Sequence, residues 1–388
     1  KAMAGVGVIF YVMLALRAKL RDSGWFATHA EPNLAELLDL VALGTVADVV
    51  PLDANNRILV HQGLARIRAG RCRPGIRALL EVAGRPADKL VSTDLGFIVG
   101  PRLNAAGRLD DMSLGIECLL TEDEGLALDM ARGLNRDRKS IERDMQQQAL
   151  KTLDAMQLDE TDLPFGLCLF DVEWHQGVIG ILASRLKDRF HRPVIAFADA
   201  GEGMIKGSAR SVAGLHIRDA LDAVAAQHPQ LISKFGGHAM AAGLSLLESD
   251  FAAFRDAFDT EVRRQLSAAD LTGRLLSDGS LQDHELSMQT AGHLREAGPW
   301  GQHFPEPLFD GEFKLVQQRL VGERHLKMLL QTPSGSDLYD AIAFNIDPQC
   351  WPNQQVSRVR IAYTLDINEF RGRQSLQLMV RHLEALDG

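Results

Sequence analysis

The sequence predicts a multidomain α/β protein: a mostly helical first part, a long connecting helix, an α/β domain and a small C-terminal β-barrel. Three observations predict it. Up to about Asp111 apolar residues recur at helical spacing. From Leu163 short apolar runs alternate with amphipathic helices. After Leu271 five strand-like runs follow one another, divided by turn residues. At 388 residues the chain is long enough for two or three hydrophobic cores.

The apolar stretch Ala2 to Leu16 is too short to span a bilayer comfortably. It runs into Arg17, Lys19 and Arg21, so it reads as a buried helix with a basic last turn rather than a secretory signal. Residue 1 is Lys, and the expectation is that the natural N-terminus lies upstream. Ala35 to Val41 and Arg57 to Ile67 are amphipathic. Pro32 with Asn33 starts one helix, and Asp53, Asn55 and Asn56 mark the turn before the next. The run "GPRLNAAGRLDD" (residues 100–111) is rich in Gly, Pro, Asn and Arg and reads as an exposed loop. Residues 113–157 contain no proline, and Ile141, Met145, Ala149 and Leu153 form one thin apolar stripe. That predicts a connecting helix over 113–160.

An α/β domain is expected over 161–268. "GLCLFD" and "RPVIAFA" are buried strands around a helix of residues 178–190, and "IKGSARS" is a further strand or loop edge. Helices are expected over 216–225 and 251–266, the second with Phe251, Phe254, Phe258 and Val262 on one side. Over 269–388 come "FKLVQQRLVG", "HLKMLLQ", "YDAIAFNI", "RVRIAYTLDIN" and "QSLQLMVRHL", with a helical insert near Ser287 to Ala297. Five such strands suit a barrel of the oligonucleotide-binding (OB) type, and an SH3-like barrel fits the same pattern.

Lys and Arg number 42 against 51 Asp and Glu, a net charge of −9, which excludes a polybasic coat for nucleic acid. Any polyanion must be held by a local patch or by metal. Cys72, Cys118, Cys168 and Cys350 are scattered without a CxxC pair, so neither a zinc site nor a disulfide framework is indicated. A reducing cytoplasm fits best.

Several residues carry candidate chemistry. Leu40 to Val50 is small or apolar apart from Thr45 and Asp48, and the next Lys or Arg is Arg57. A charge in that setting faces water, caps a helix or meets a cation from elsewhere. In "KFGGHAMAAGLSL", two glycines before His238 would let a backbone approach a phosphate; a tight turn into a packed helix fits equally well. In "KGSARS", Ser208 and Arg210 share a strand face and would clamp a terminal phosphate, although a solvated edge strand is the plainer reading. Arg102, Asn104 and Arg108 suit phosphate or sugar contacts, or solvated ion pairs with Asp110 and Asp111. Trp174 and His175 precede a helix N-terminus, where they pack and cap or flank an anion site. In the last region Lys314, Arg319, Arg324, His325, Lys327, Arg358, Arg360, Arg371 and Arg373 lie near Phe344, Tyr363 and Phe370. Such a mix suits a groove for single strands or a set of solvated strand faces. No P-loop, GxSxG elbow or HExxH motif occurs.

The runs "LVALGTVADVVPLDANNR", "GPRLNAAGRLDD", "EWHQGVIGILASRLKDRFHRPVIAFA", "GSARS" and "KFGGHAMAAGLSL" occur in this order. Together with "GPWGQHFPEPLFDGEF" and "YTLDINEFRGRQSLQL" they closely resemble the RecJ family, bacterial single-strand-specific DNA exonucleases of the DHH phosphoesterase superfamily. The resemblance implies the C-terminal part of a DHH domain (1–112), the connecting helix (113–160), a DHH-associated domain (161–268) and an OB domain (269–388). It further implies two Mn²⁺ or Mg²⁺ ions that activate a water and clamp the scissile phosphate, with digestion from a 5′ end.

Residue by residue, Asp48 matches the family's last metal-binding carboxylate and counts with His238 as catalytic. Arg102, Asn104 and Arg108 match the motif near the substrate, and Ser208 and Arg210 the pair expected to hold the 5′-phosphate. Gly236, Gly237 and His238 match the phosphate-contacting motif. The family's Asp-x-Asp, lone Asp and Asp-His-His motifs do not occur in this sequence. The chain is therefore expected to hold one metal ligand of several and to have little or no nuclease activity by itself. The expected partners are single-stranded DNA and single-strand DNA-binding protein, with no membrane, for a cytoplasmic monomer in recombination and repair. Two alternatives remain: a non-catalytic single-strand DNA-binding adaptor, or a small-nucleotide phosphodiesterase of the same superfamily.

Overall fold

The structure, a computed structural model, describes residues 2–106, 112–136, 163–322, 324–335, 337–347, 350–370 and 372–387. Two compact units are formed. One joins Lys1–Arg138 to Leu275–Gly388, and the other is Lys139–Arg274. The helical part and the barrel, separate domains in the sequence reading, thus share one unit.

The helical part is built around α2 (Leu38–Ala47), in which Val41, Ala42, Leu43 and Thr45 are all buried. Helix α1 (Gly5–Asp22) packs on it through Phe10, and α3 (Ala54–Arg68) is capped by Asp53, whose carboxylate accepts the Asn56 N–H at 2.8 Å. The α2–α3 approach needs glycine at position 63. A Cβ there would lie 2.2 Å from the Leu38 carbonyl oxygen and 2.4 Å from the Ala42 Cβ. Val60, Leu64 and Ile67 of α3 then close on Ile76 and Leu79 of α4 (Pro74–Val82). The expectation for α1 was only half right. Gly7 and Phe10 are buried, but Val8, Ile9, Val12 and Leu16 are about half exposed, because the helix is apolar all round and this unit covers one side. Among the described residues no helix is long and apolar enough to cross a membrane.

Two other expectations are corrected. Gly100–Ala106 is a helix, α5, not an exposed loop, and Arg102 in it is buried. It continues directly from a π-helical turn, Leu95–Val99. Pro101 has no N–H to donate, and the widened turn before it accommodates the missing bond. The connecting helix begins as expected with α6 (Ser113–Leu120) but breaks at residues 121–123. Thr121 is extended there, and the Asp123 carboxylate accepts the Leu126 N–H at 2.8 Å, starting a new helix over residues 124–136. Cys118, Ala127, Ala131 and Leu134 are fully buried in the helical core, so this segment is part of that core rather than a bare bridge. The stripe from Ile141 to Leu153 lies outside the described residues.

The second unit is a five-stranded sheet in the order β1-β2-β3-β5-β4. Strands β1 (Leu167–Phe170) and β2 (Val194–Gly201) are parallel; β3 (Met204–Arg210), β5 (Ala241–Leu247) and β4 (Lys234–Gly237) continue antiparallel. Helix α7 (Ile179–Phe190) covers β1 and β2 on one face through Leu182, Ala183 and Leu186. Helices α8 (Ile217–Gln227) and α9 (Phe251–Gln265) cover the other, where Phe197, Phe254 and Phe258 are fully buried. "KFGGHAMAAGLSL" is therefore a β-hairpin, not a turn into a helix: β4 pairs with β5, β5 pairs in register with β3, and the His238 N–H closes the turn on the Ala241 carbonyl at 2.8 Å.

After α10 (Met288–Ala297) come β6 (Phe309–Val321), β7 (His325–Gln331), β8 (Leu338–Phe344), β9 (Arg358–Phe370) and β10 (Arg373–Ala385). All five predicted runs are strands, with ends shifted by a few residues. They close as β10-β8-β7-β6-β9, with β8 and β10 parallel and the remaining pairs antiparallel. That order is the OB arrangement and settles the choice against an SH3-like barrel. Leu326, Met328, Leu330, Ile361 and Leu378 alternate inward to fill it.

Phe254 meets Phe197 edge-on and Phe258 face-on in a fully enclosed position. Phe254→Ala is expected to destabilise the α/β unit by about 3–5 kcal/mol in urea denaturation; a loss below about 1 kcal/mol would show that the site collapses around the gap.

Candidate active site and nucleic-acid interface

Asp48 terminates α2 and is exposed. Among the described residues its carboxylate has neither a hydrogen bond nor an ion pair. It therefore faces water, as one of the sequence readings required. The next residue, Val49, sits at φ 53°. A β-branched side chain is strained in this left-handed region, by about 1–3 kcal/mol, so the turn must be held from outside. Asn56, fully buried, donates its side-chain amide to the Pro51 carbonyl at 2.8 Å.

The segment carrying Arg102 and Asn104 is packed against the same turn. A Cβ at Gly96 would lie 3.3 Å from Val46 Cγ1, and one at Gly100 3.7 Å from Ala47 Cβ. The π turn and α5 thus lie against the end of α2, just before Asp48, with Gly96 at the tighter of the two contacts. Asn104 is exposed, whereas the Arg102 guanidinium is drawn inward and donates to the Ile98 carbonyl at 2.6 Å. Arg108 lies outside the described residues. Among the described residues no three His, Cys, Asp or Glu side chains converge as a metal set. Asp48 fits the part of a single donor: a partnerless carboxylate, exposed, on a constrained turn.

In the α/β unit the structure brings together two runs that the sequence reading kept apart. Arg210 donates to Ser208 Oγ at 3.0 Å and to Ser184 Oγ at 3.2 Å. Ser184 belongs to α7, one turn after Gly180. A Cβ at Gly180 would lie 3.1 Å from the Arg210 guanidinium and 3.3 Å from Ser208 Oγ. The first turn of α7, which has no side-chain cap, thus meets the Ser208–Arg210 pair across the sheet face. Backbone N–H groups, a guanidinium and hydroxyls in one bay suit a phosphate. In the cross-strand register Ser208 lies beside Gly243 and Gly243 beside Gly236, so two bare glycines extend the floor of this bay. Gly237 and His238 end the edge strand, and His238 is exposed at the turn. Trp174 packs against the α7 core, and His175 accepts the Gly177 N–H at 3.1 Å in the turn before α7, which it does not cap. Sequence reasoning missed Gly180, Ser184 and Gly243; the only hint was a Gly-x-x-x-Ser spacing on α7.

On the barrel, Arg319 pairs with Lys327, and His325 with Phe344, along the outer face of β6, β7 and β8. Phe344 is half exposed and meets His325 edge-on. Tyr363 is instead fully buried and excluded from stacking on a ligand; burial pushes its phenol well up. Arg358 and Arg360 are engaged with Glu312 at 3.0 and 2.8 Å. Arg371 and the side chain of Phe370 lie outside the described residues. Between the helical part and the barrel, within the same unit, a cleft of about 410 Å³ is lined by Arg68, Arg295, Trp300, Glu306 and Arg381. Burial, then the neighbouring Arg295, lower the Arg68 guanidinium; burial raises the Glu306 carboxyl.

The family model described as the DHHA1 domain matches residues 164–264, and the one described as the RecJ OB domain matches residues 277–382. A protein described as single-stranded-DNA-specific exonuclease RecJ, from Dickeya dadantii, is 61% identical over 389 residues, which cover 99% of this chain and 67% of that protein. The chain belongs to the RecJ family. An Escherichia coli relative of the same description is 59% identical over 99% of this chain and 67% of its own length. The solved structure of RecJ from Thermus thermophilus in complex with Mn²⁺ matches with TM-score 0.77 at 30% identity, over 98% of this chain and 54% of that one; its Mg²⁺ complex gives 0.76. The chain spans about two thirds of these curated relatives and just over half of the Thermus chain.

The raised Glu306 carboxyl fixes the sign of a pH effect. A carboxyl raised in the folded state stays protonated there longer, so its contribution to stability falls as pH rises from the ordinary carboxylate range through the raised value. Glu306→Gln is expected to raise the thermal midpoint at about pH 8 and to have no effect below about pH 4, where the parent is also neutral. A midpoint lowered in the alkaline measurement would show that the carboxylate is held by favourable pairing instead.

Proposed function

We propose that the chain serves a single-stranded-DNA-specific exonuclease that removes nucleotides from a 5′ end. The observation that carries this reading is the bay in which the α7 N-terminus, Ser184, Ser208 and Arg210 converge. It suits a terminal phosphate monoester, which has more charge and more free oxygens than an internal phosphodiester. Arg210 neutralises that charge, Ser208 fixes its orientation, and the bare strip at Gly236 and Gly243 lets the strand lie against the sheet. His238, exposed at the end of that strip, donates to the phosphate being cleaved. The strip of Arg319, Lys327, His325 and Phe344 on the barrel offers a separate surface that holds single strands by charge and stacking.

Two Mn²⁺ or Mg²⁺ ions, when bound, supply the activated water and polarise the scissile phosphate. Asp48 would hold one of them, and Arg102 and Asn104, beside the same turn, stand near the substrate. In this reading the protein is a cytoplasmic monomer acting in recombination and repair, alongside single-strand DNA-binding protein. A second reading is a non-catalytic strand-binding adaptor, which would bind single strands without cleaving them.

Two assays test the proposal in the full-length nuclease. Arg210→Ala should reduce the preference for 5′-phosphorylated over 5′-hydroxyl strands by about tenfold or more, the worth of one charge-assisted hydrogen bond; an unchanged preference would remove the clamp. Asp48→Ala should abolish Mn²⁺-dependent cleavage while leaving oligonucleotide binding within a few fold. Cleavage equal to the parent would show the metal assignment to be wrong, and a parent that binds without cleaving would favour the adaptor.

A further inference from the structure

The turn carrying Asp48 is gripped by the C-terminal part of the chain. The Leu52 N–H donates to the Gln302 carbonyl at 2.7 Å. Gln302 lies in the segment Gly298–Phe304, between α10 and the first barrel strand. Gly301 and Phe304 exchange backbone hydrogen bonds at 2.9 and 3.0 Å, which closes a two-residue turn with the Gln302 carbonyl directed outward. His303 in that turn has φ 60°. A non-glycine residue in the left-handed region therefore lies on each side of this hydrogen bond, Val49 on one and His303 on the other. Such strain persists only where neighbouring contacts over-determine it.

Those contacts are specific. Leu52 is buried and fills the space above Gly301, where a Cβ would come within 2.8 Å of Leu52 Cδ1. Phe304 packs against the helical core, and the Arg57 guanidinium lies 4.0 Å above its ring. Trp300 stacks on Phe304 with centroids 5.0 Å apart, donates its indole N–H to the Leu294 carbonyl at 2.8 Å, and accepts the Ser92 hydroxyl on its own carbonyl at 2.7 Å. One short loop thus ties α10, the segment before the π turn and the segment leaving Asp48.

We infer that the Gly298–Phe304 loop is a positioning element for the Asp48 carboxylate, with Phe304 as its anchor. The inference rests on the reading of Asp48 as a reactive-centre residue. The barrel domain then has two roles. It holds the strand, and it fixes the geometry of a group in the helical part. Loosening the loop should slow the chemical step without weakening the strand, because a shift of about 1 Å at a reacting group costs on the order of a hundredfold in rate.

The test uses the full-length nuclease with Phe304→Ala, Phe304→Tyr and Gly301→Val, each first checked for a folded state by circular dichroism. Phe304→Ala and Gly301→Val should lower kcat about tenfold or more, with KM for an oligothymidylate within about twofold of the parent, and Phe304→Tyr should restore kcat. Backbone amides from Asp48 to Leu52 should exchange hydrogen faster in the first two variants and at the parental rate in the third. The inference is overturned if KM rises while kcat holds, or if exchange over these residues is unchanged in a folded Phe304→Ala protein. It is also overturned if Gly301→Val matches the parent when Phe304→Ala fails to fold. Asp48→Ala, run in parallel, separates the two readings: retained cleavage there refutes the role of Asp48, whereas amide exchange still reports whether the loop holds the turn.

Discussion

Close approach of backbones around α2 is the constraint on which the helical part depends. Gly63 admits α3 onto its side, and Gly96 eases the π turn onto its end, with α5 following at Gly100. A Cβ at Gly63 could not be accommodated without a backbone shift, one at Gly96 would be tight, and packed interiors shift reluctantly. The result is a helix of only ten residues, crowded on several sides, whose last residue leads into an exposed carboxylate. Rigidity behind Asp48 and water in front of it follow from the same arrangement.

The α/β unit reaches a comparable end by different means. Its sheet is covered on one face by α8 and α9, while on the other α7 covers β1 and β2 and reaches Ser208 and Arg210 of β3, and Gly243 of β5 and Gly236 of β4 are exposed. The edge of that cover is where Gly180 meets Ser208 and Arg210. A larger residue at position 180 would fill the bay, and a helix displaced along its axis would withdraw its N-terminus from it. Packing of Leu182, Ala183 and Leu186 on Val194 and Ala196 therefore also sets the electrostatics of the bay.

Sequence patterns revealed local periodicity and little of what depends on partners far away in the chain. The five barrel strands alternate cleanly and were legible, yet their closure rests on the β8–β10 parallel pairing, which leaves no local trace. Ser208 and Arg210 could be placed on one face from their spacing, but Ser184 joins them only through tertiary packing. "GPRLNAAG" looked like a loop because glycine and proline are strong turn signals; the π turn that accommodates Pro101 is invisible to such rules. Tyr363 resembled a stacking residue by its neighbours in sequence and proved to be core, since the period-two alternation of β9 turns it inward. The break at Thr121 was written in the sequence, as a Thr and an Asp two residues apart before a helix, and was outweighed by the absence of proline.

The floor of the bay proposed for phosphate is made of glycine at two adjacent strands, and its walls are a guanidinium, hydroxyls and main-chain amides. None of these groups has a hydrogen-bonding pattern that distinguishes one nucleobase from another. In the proposed reading a strand end presented there would be recognised by its charge and by being an end, and the bay would be indifferent to the letters of the message it receives.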